Sequence, residues 1–435
     1  MKRVFLSLVF LFPAVTSAQW SAFDAFVYTH LQTAGLTPAP AVGEVKVSIG
    51  QPRMIFRGGQ SPVLVQLGNG WIVADVASRT GKVHAGRSRS AVISKDRGQT
   101  WQPWPESTRT SNDGTRIVLS DGTAIALSQR SERVTDREYR FTGFRWYSTD
   151  HWQTVLGPDP TEIRLPDFAP GDSDGGATTG PYFFGRALES PDGSILATMY
   201  TNFTPDRKYQ PKPGKRLPWR TILVRSNDLG KTWDYYSTVA CQDWIKDASV
   251  RKNWQQGFGE PALEKLPDGK MICVMRTGAS AGTKTTEAYS DLAVTAVRDG
   301  KYVVSDGSVT PNLYMATSTD EGRTWTEPRP IPGARSVCPR LLLLENGVLA
   351  LSFGRTYRPK QGNSLMFSTD GGTTWSQRID IYPGLSSGYT DITPIGSNRL
   401  LYVYDVVSND PIGSSNWEQN WVCAVDIQFR STKAQ

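Results

Sequence analysis

Along this 435-residue chain, short apolar runs are broken at regular intervals by Gly, Asn and Asp. Six segments share one form, an apolar run on either side of a small reversal. They are LGNGWIVA around Gly70, LSDGTAIAL around Gly122, SPDGSILATMY around Gly193, LPDGKMICVMR around Gly269, LENGVLALSFGR around Gly347 and IGSNRLLYVYD around Asn398. Asn-Gly or Asp-Gly between apolar runs reads as a β-hairpin with a two-residue turn, since these pairs tolerate the positive φ of a tight reversal. A second pattern falls between the hairpins. Ser-x-Asp-x-Gly-x-Thr-Trp occurs in full at Ser94 to Trp101, Ser226 to Trp233, Ser318 to Trp325 and Ser368 to Trp375. A decayed copy, STDHWQT from Ser148 to Thr154, keeps the Ser, Asp and Thr and loses the Gly and the Trp. Each copy specifies a tight turn in which the Asp accepts from backbone N–H groups, the Gly takes an angle other residues resist and the Trp packs inward.

Six hairpins, five of them followed by a full or partial box, predict an all-β fold: a six-bladed β-propeller of about four strands per blade. It would occupy residues 51–430 as one closed domain, because radial repeats grow by adding blades instead of domains. A composition of 40 Gly, 28 Pro, 14 Trp and 16 Tyr suits many short strands with turns between them. A helix is expected only around Trp20 to Thr33, within an N-terminal segment 19–50 that has room to lie across one end of the propeller.

Residues 1–18 read as a secretory leader: Lys2 and Arg3, an apolar run from Val4 to Val15, then Thr-Ser-Ala before Gln19. The run is too short to span a bilayer, so a secreted or periplasmic protein without a membrane span is expected. In an oxidising compartment Cys241, Cys273, Cys338 and Cys423 allow three full pairings, and their spacing matches no zinc site, so no metal or other cofactor is expected. Cys273, in a predicted core strand, reads equally as a buried thiol. The net charge of +7 falls to +5 without the leader, and its Lys and Arg are scattered. That favours anionic saccharides over nucleic acid as partners. Asn202-Phe-Thr is a glycosylation sequon if the source is eukaryotic.

A propeller binds ligands at one mouth of its axis, so chemistry should come from equivalent places in several blades. Arg57 precedes the first hairpin, Arg276 ends LPDGKMICVMR and Arg355 ends LENGVLALSFGR. Arg suits such a place because its planar fork holds a carboxylate bidentately and stays charged, although a lone Arg there is as often an ion pair between blades. Glu260, in GFGEPALEKLPDG, and Tyr389, in SSGYTDITPIG, open the innermost strands of their blades. A Glu beside a phenol can withdraw its proton and make a nucleophile, one that an anionic sugar does not repel as it would a carboxylate.

From Phe56 to Tyr404 the order of these features resembles the sialidase (neuraminidase) superfamily of Asp-box propellers. The resemblance implies an arginine clamp that includes Arg57 and Arg276, with Glu260 activating Tyr389 as nucleophile. Two places depart from it. Where the superfamily has an acid/base Asp, this chain reads DVASRTGKVHAGRSRSAVISKD, with no carboxylate between Asp75 and Asp96 and with His84 in the middle as a proton shuttle in its stead. Where the superfamily has its third clamp Arg, this chain has Gly362, leaving Arg340, Arg355 or Arg358 to supply it. The expected function is a secreted exo-acting glycoside hydrolase on terminal acidic sugars. A lyase acting on a uronate-containing glycan, with His84 and Tyr389 as base and acid, and a non-catalytic carbohydrate-binding propeller are the alternatives.

Overall fold

The computed structural model describes residues 41–42, 45–84, 87–104, 115–169, 179–210, 217–246, 257–277, 293–298, 301–305, 312–335, 337–356, 361–407 and 419–431. The leader and the helix expected around Trp20 to Thr33 lie outside the described residues. Strands dominate the rest, and among the described residues no helix is long and apolar enough to cross a membrane.

The strands run as successive antiparallel meanders. The first comprises Gly59–Gln66, Ile72–His84, Arg87–Ser94 and Gln102–Pro103. The fourth holds Gly259–Lys265, Met271–Arg276, Asn312–Ser318 and Arg329–Arg335, and the fifth holds Arg340–Leu343, Leu349–Thr356, Gln361–Ser368 and Ile379–Leu385. The second (Arg116–Val118, Ala124–Leu127, Arg140–Ser148, Leu156–Arg164) and the third (Leu188–Glu189, Ile195–Thr201, Arg220–Ser226, Thr232–Ala240) share one ten-stranded sheet. Their outer strands pair in parallel, Glu162 opposite Thr232. The sixth meander, Thr390–Gly396, Arg399–Val406 and Trp421–Ser431, takes its outer pairing from the other end of the chain, where Val45–Ile49 and Arg53–Arg57 both pair with Trp421–Ser431. This pairing fastens the start of the chain to its last sheet.

The hairpins differ from the two-residue turns expected. In the first, Gly70 N donates to Leu67 O and Leu67 N to Trp71 O, and Gly70 sits at φ 82°. The same pair of bonds recurs around Gly122, Gly193, Gly269 and Gly347. Glycine thus closes a longer reversal instead of forming its centre, the three-residue class of hairpin. The Asx residue before it accepts from the backbone N–H two residues on, as Asn69 does from Trp71 at 3.1 Å and Asp121 from Thr123 at 2.8 Å.

The box turns also repeat in their Ser and Asp bonds, and the indole bond recurs in the copies ending at Trp101, Trp233 and Trp325 but not at Trp375. In the copy ending at Trp233, Ser226 Oγ accepts from Gly230 N (2.8 Å), Asp228 accepts from Thr232 N (2.8 Å) and Thr232 Oγ1 (2.7 Å), and Trp233 Nε1 donates to Gly230 O (3.2 Å). The decayed copy keeps this backbone with Trp152 in the glycine's place. Trp152 N donates to Ser148 Oγ at 2.8 Å, its φ is 65°, and its ring is buried against Leu67, Val73 and Ile93. Burial of a large ring offsets a left-handed strain of about 1–2 kcal/mol.

The hydrophobic cores lie between meanders. One cluster joins Ile125 and Leu127 to Ile195 and Val224, another Leu196 and Leu223 to Cys273 and Met275, and a third Ile272 and Val274 to Leu349 and Leu351. The succession returns to its start, because Ile72, Ala74 and Val76 of the first meander pack with Leu401, Val403 and Val422 of the last. Each box rests on the preceding sheet: a Cβ added at Gly322 would lie 2.7 Å from Leu223, at Gly372 2.9 Å from Ile272, and at Gly98 2.9 Å from Leu401 of the last meander. All four cysteines are buried thiols outside any disulfide, so none of the pairings forms. Burial pushes the Cys423 thiol up to about 12. Asn202 is buried, with its amide donating to Pro218 O at 2.6 Å, which removes it as a glycosylation site.

Candidate active site

The innermost strands open on a repeated bulge. In the first meander Gln60 pairs with Ala77 and Val63 with Asp75, with the register broken between them; in the fourth the break lies between Gly259 opposite Arg276 and Ala262 opposite Val274. The residue at each break is left-handed: Ser61 at φ 52° and Glu260 at φ 45°. Cys338 (φ 52°) and Gly388 (φ 81°) hold the same place, two residues before Arg340 opposite Ser352 and Thr390 opposite Tyr404. Gly185 (φ 84°) opens the corresponding stretch of the third meander. The bulges turn the chain at one end of the axis and re-aim side chains there. A carboxylate residue held left-handed carries a cost that glycine would avoid, and such strain gathers where function requires it.

Glu260 faces Tyr389 across the axis. Tyr389 Oη donates to Glu260 Oε1 at 2.7 Å, Arg276 Nη1 donates to the same oxygen at 2.5 Å, and Cys338 N donates to Oε2 at 3.0 Å. Glu260 is 8 % exposed. Tyr389 follows the left-handed Gly388 in the place that Pro62, Pro261 and Pro339 fill in the first, fourth and fifth meanders and Arg186 in the third, so the phenol comes from a position that proline most often stiffens. Gly388 cannot carry a side chain, since a Cβ there would lie 2.7 Å from Val337. Burial foremost, and the Glu260 charge after it, push the Tyr389 phenol well above its ordinary range, with Arg276 pulling the other way. The resting phenol is therefore protonated, and a carboxylate able to accept its proton is already in contact.

The other expected site residues divide. Arg276 joins Glu260, whereas the guanidinium of Arg57, an exposed residue, lies 5.7 Å from the centre of the Trp421 ring. Arg340 is turned inward, 3 % exposed, against the Phe184 ring (4.8 Å) and 3.7 Å from Asp391. That placement makes it an internal cation of the axis. The backbones of His84, opposite Arg87, and of Arg355, within Leu349–Thr356, are described, but their side chains, like all of Arg358, lie outside the described residues. Gly362, where the resemblance puts a third Arg, is left-handed at φ 78°, a conformation that disfavours any longer side chain.

Two features had no signal in the sequence. Arg186, just after Gly185, reaches Asp391 Oδ1 (3.0 Å) and Ile392 O and keeps 28 % of its side chain exposed, so a cation stands two to three residues beyond Tyr389 along its strand. Tyr182 and Tyr200 are stacked (5.1 Å), and Trp219 stands edge-on to both (5.5 and 5.0 Å). These three half-buried rings border Glu260, because a Cβ at Gly259 would meet Trp219 at 3.6 Å and Tyr200 at 3.8 Å.

Comparison with known proteins places the fold. No family model and no curated protein matches the sequence. Solved structures do match. A Dyadobacter fermentans protein of unknown function aligns over 89 % of this chain and 100 % of its own at 20 % identity and a TM-score of 0.61. The Hadza microbial sialidase Hz136 aligns over 86 % of this chain at 16 % identity and a TM-score of 0.54, and the chain spans 65 % of its length. A Penicillium chrysogenum α-L-arabinanase complexed with arabinobiose aligns over 88 % and 98 % of the two chains, also at 16 % identity and 0.54. The fold is that of the sialidase-like propellers. At these identities the likeness concerns the fold, and the chemistry rests on the residues above.

Proposed function

We propose that this chain is a secreted, six-bladed propeller hydrolase that releases a terminal, sialidase-like acidic sugar from a glycan, with Tyr389 as nucleophile and Glu260 as its base. The observation that carries this reading is the 2.7 Å contact between Tyr389 Oη and Glu260 Oε1, within the range a general base needs. In the first step Glu260 takes the phenol proton, Tyr389 Oη bonds to the anomeric carbon, and the bond from that carbon to the leaving glycan oxygen breaks. That oxygen needs a proton, for which His84 is the candidate. In the second step water attacks the same carbon and gives its proton to His84, the bond to Tyr389 breaks and Glu260 returns the proton to the phenolate. Two displacements retain the anomeric configuration; a Tyr nucleophile is one of the known variants of the two-carboxylate scheme.

Arg276 has a double role in this reading. It holds Glu260 Oε1, which keeps the carboxylate aimed, and it presents positive charge where an acidic sugar would sit. Arg186 adds a second partly exposed cation, and the Tyr182, Tyr200 and Trp219 rings offer apolar faces to a sugar ring. The test is incubation with 4-methylumbelliferyl sialosides, rhamnosides and arabinosides and with uronate polysaccharides, together with a fluorinated sialoside that halts the reaction after the first displacement. A saturated sugar product and a mass increment on the Tyr389 peptide are expected. Unsaturated uronates would establish a lyase in its place, and no turnover across the panel would leave a sugar-binding propeller.

A further inference from the structure

Asp405, at the end of the strand Arg399–Val406, is 0 % exposed and takes no part in the steps above. Both of its oxygens are fully engaged. Oδ1 accepts from Ser386 Oγ (2.8 Å) and Ser387 N (2.7 Å), and Oδ2 accepts from Ser61 N (2.7 Å) and Ser387 Oγ. The two serines pass the connection on: Ser386 Oγ accepts from Gly388 N at 2.9 Å, and Ser387 Oγ accepts from Tyr389 N at 3.2 Å. The turn Ser386-Ser387-Gly388-Tyr389 is thus suspended from one carboxylate, which also grips the left-handed Ser61 that opens the first meander.

The repeat shows that the fold does not need this carboxylate. The residues that pair two positions after the bulge are Asp75, Val274, Ser352 and Tyr404, so the next residues, Val76, Met275, Phe353 and Asp405, are equivalent. Val76, Met275 and Phe353 are each 0 % exposed and apolar. A buried carboxylate costs free energy that an apolar side chain does not, and its partners must offset that cost. The substitution occurs in the meander that bears Tyr389.

We propose that Asp405 is the positioning residue of the site: through Ser387 it fixes the turn that aims the Tyr389 phenol at Glu260, and through Ser61 N it makes that aim depend on closure between the first and last meanders. The proposal rests on the reading of Tyr389 as nucleophile only for its kinetic consequence. The geometric consequence is independent of any substrate.

The test uses full-length protein labelled with [13Cζ]tyrosine, with the Tyr389 resonance assigned by its loss in Tyr389→Phe. Asp405→Asn keeps size and removes the charge, and Ser387→Ala removes only the hydroxyl between Asp405 and Tyr389 N. In both variants the Tyr389 resonance should move toward that of solvent-exposed tyrosines. On whichever 4-methylumbelliferyl glycoside the wild type cleaves, kcat should fall about tenfold or more with KM changed less than about threefold, as misplacement of a reacting group does. A folded Asp405→Asn with the Tyr389 resonance unmoved would overturn the proposal, however much its melting temperature fell. If Asp405→Asn does not fold, Ser387→Ala decides by the same resonance. A wild type that cleaves none of the glycosides would count against the hydrolase reading, and the resonance would still decide the role of Asp405.

Discussion

The box turns and the axial bulges are both repeated, and they repeat in opposite ways. In the boxes, side chains and backbone recur together: Ser94, Ser148, Ser226, Ser318 and Ser368 all accept from the backbone N–H four residues on. At the bulges only the backbone recurs, and the left-handed place is held in turn by Ser61, Gly185, Glu260, Cys338 and Gly388. A position whose side chain makes the turn cannot vary without losing the turn. A position whose turn is made by register and ring closure is free to carry chemistry, and that is where Glu260 and, one residue after its own bulge, Tyr389 stand.

The largest expected effect is at the bulges and in activity alone. Tyr389→Phe and Glu260→Gln should each lower kcat on the cleaved glycoside by roughly a hundredfold or more, with the melting temperature nearly unchanged, since they remove proton-transfer or attacking groups and keep the packing. A comparable loss of stability would make the two regions alike. In the boxes the order should reverse. Trp233, which is 0 % exposed, anchors its turn, and Trp233→Ala should cost about 3–5 kcal/mol in chemical denaturation. An unchanged denaturation midpoint would contradict the packing described.

The box acids should also dominate acid unfolding. Asp96 is lowered to about 2: burial pushes it up, and the Thr100, Ser94 and Gln99 bonds together outweigh it. Asp320 reaches about 2 chiefly through the Thr324 hydroxyl and backbone bonds. Carboxyls depressed in the folded state stabilise it above the unfolded value of about 3.9, and that stabilisation is lost as pH falls through the folded value. Stability followed by circular dichroism should therefore drop between pH ~4 and pH ~2, and Asp320→Asn should lower stability at pH 7 while flattening that drop. An acid limb identical to wild type would show that the box bonds contribute nothing to it. The smallest effect is at a bulge without chemistry. Ser61→Gly suits φ 52° and should change stability by less than about 1 kcal/mol, whereas Ser61→Val should destabilise by more than that in the same denaturation series.

The sequence by itself determined what local chemistry can specify. The boxes and hairpins were legible because Asp, Ser and Gly at fixed offsets form their turns from bonds within a few residues, and even the decayed copy at Ser148 kept the bonds that matter. Glu260, Arg276 and Tyr389 were legible as candidates from their places before and after hairpins. Tertiary structure decided the rest, because it depends on residues far apart in the chain. Tyr389 meets Glu260 across 129 positions, and Asp405 reaches Ser61 across 344. Closure of the last sheet by Arg53–Arg57, the inward turn of Arg340 toward Asp391, and the partly exposed Arg186 all follow from which strands come to neighbour the axis. Spacing along a chain fixes a turn, but only the closing of the ring determines which side chains share a buried environment, and that environment sets their charge and their reach.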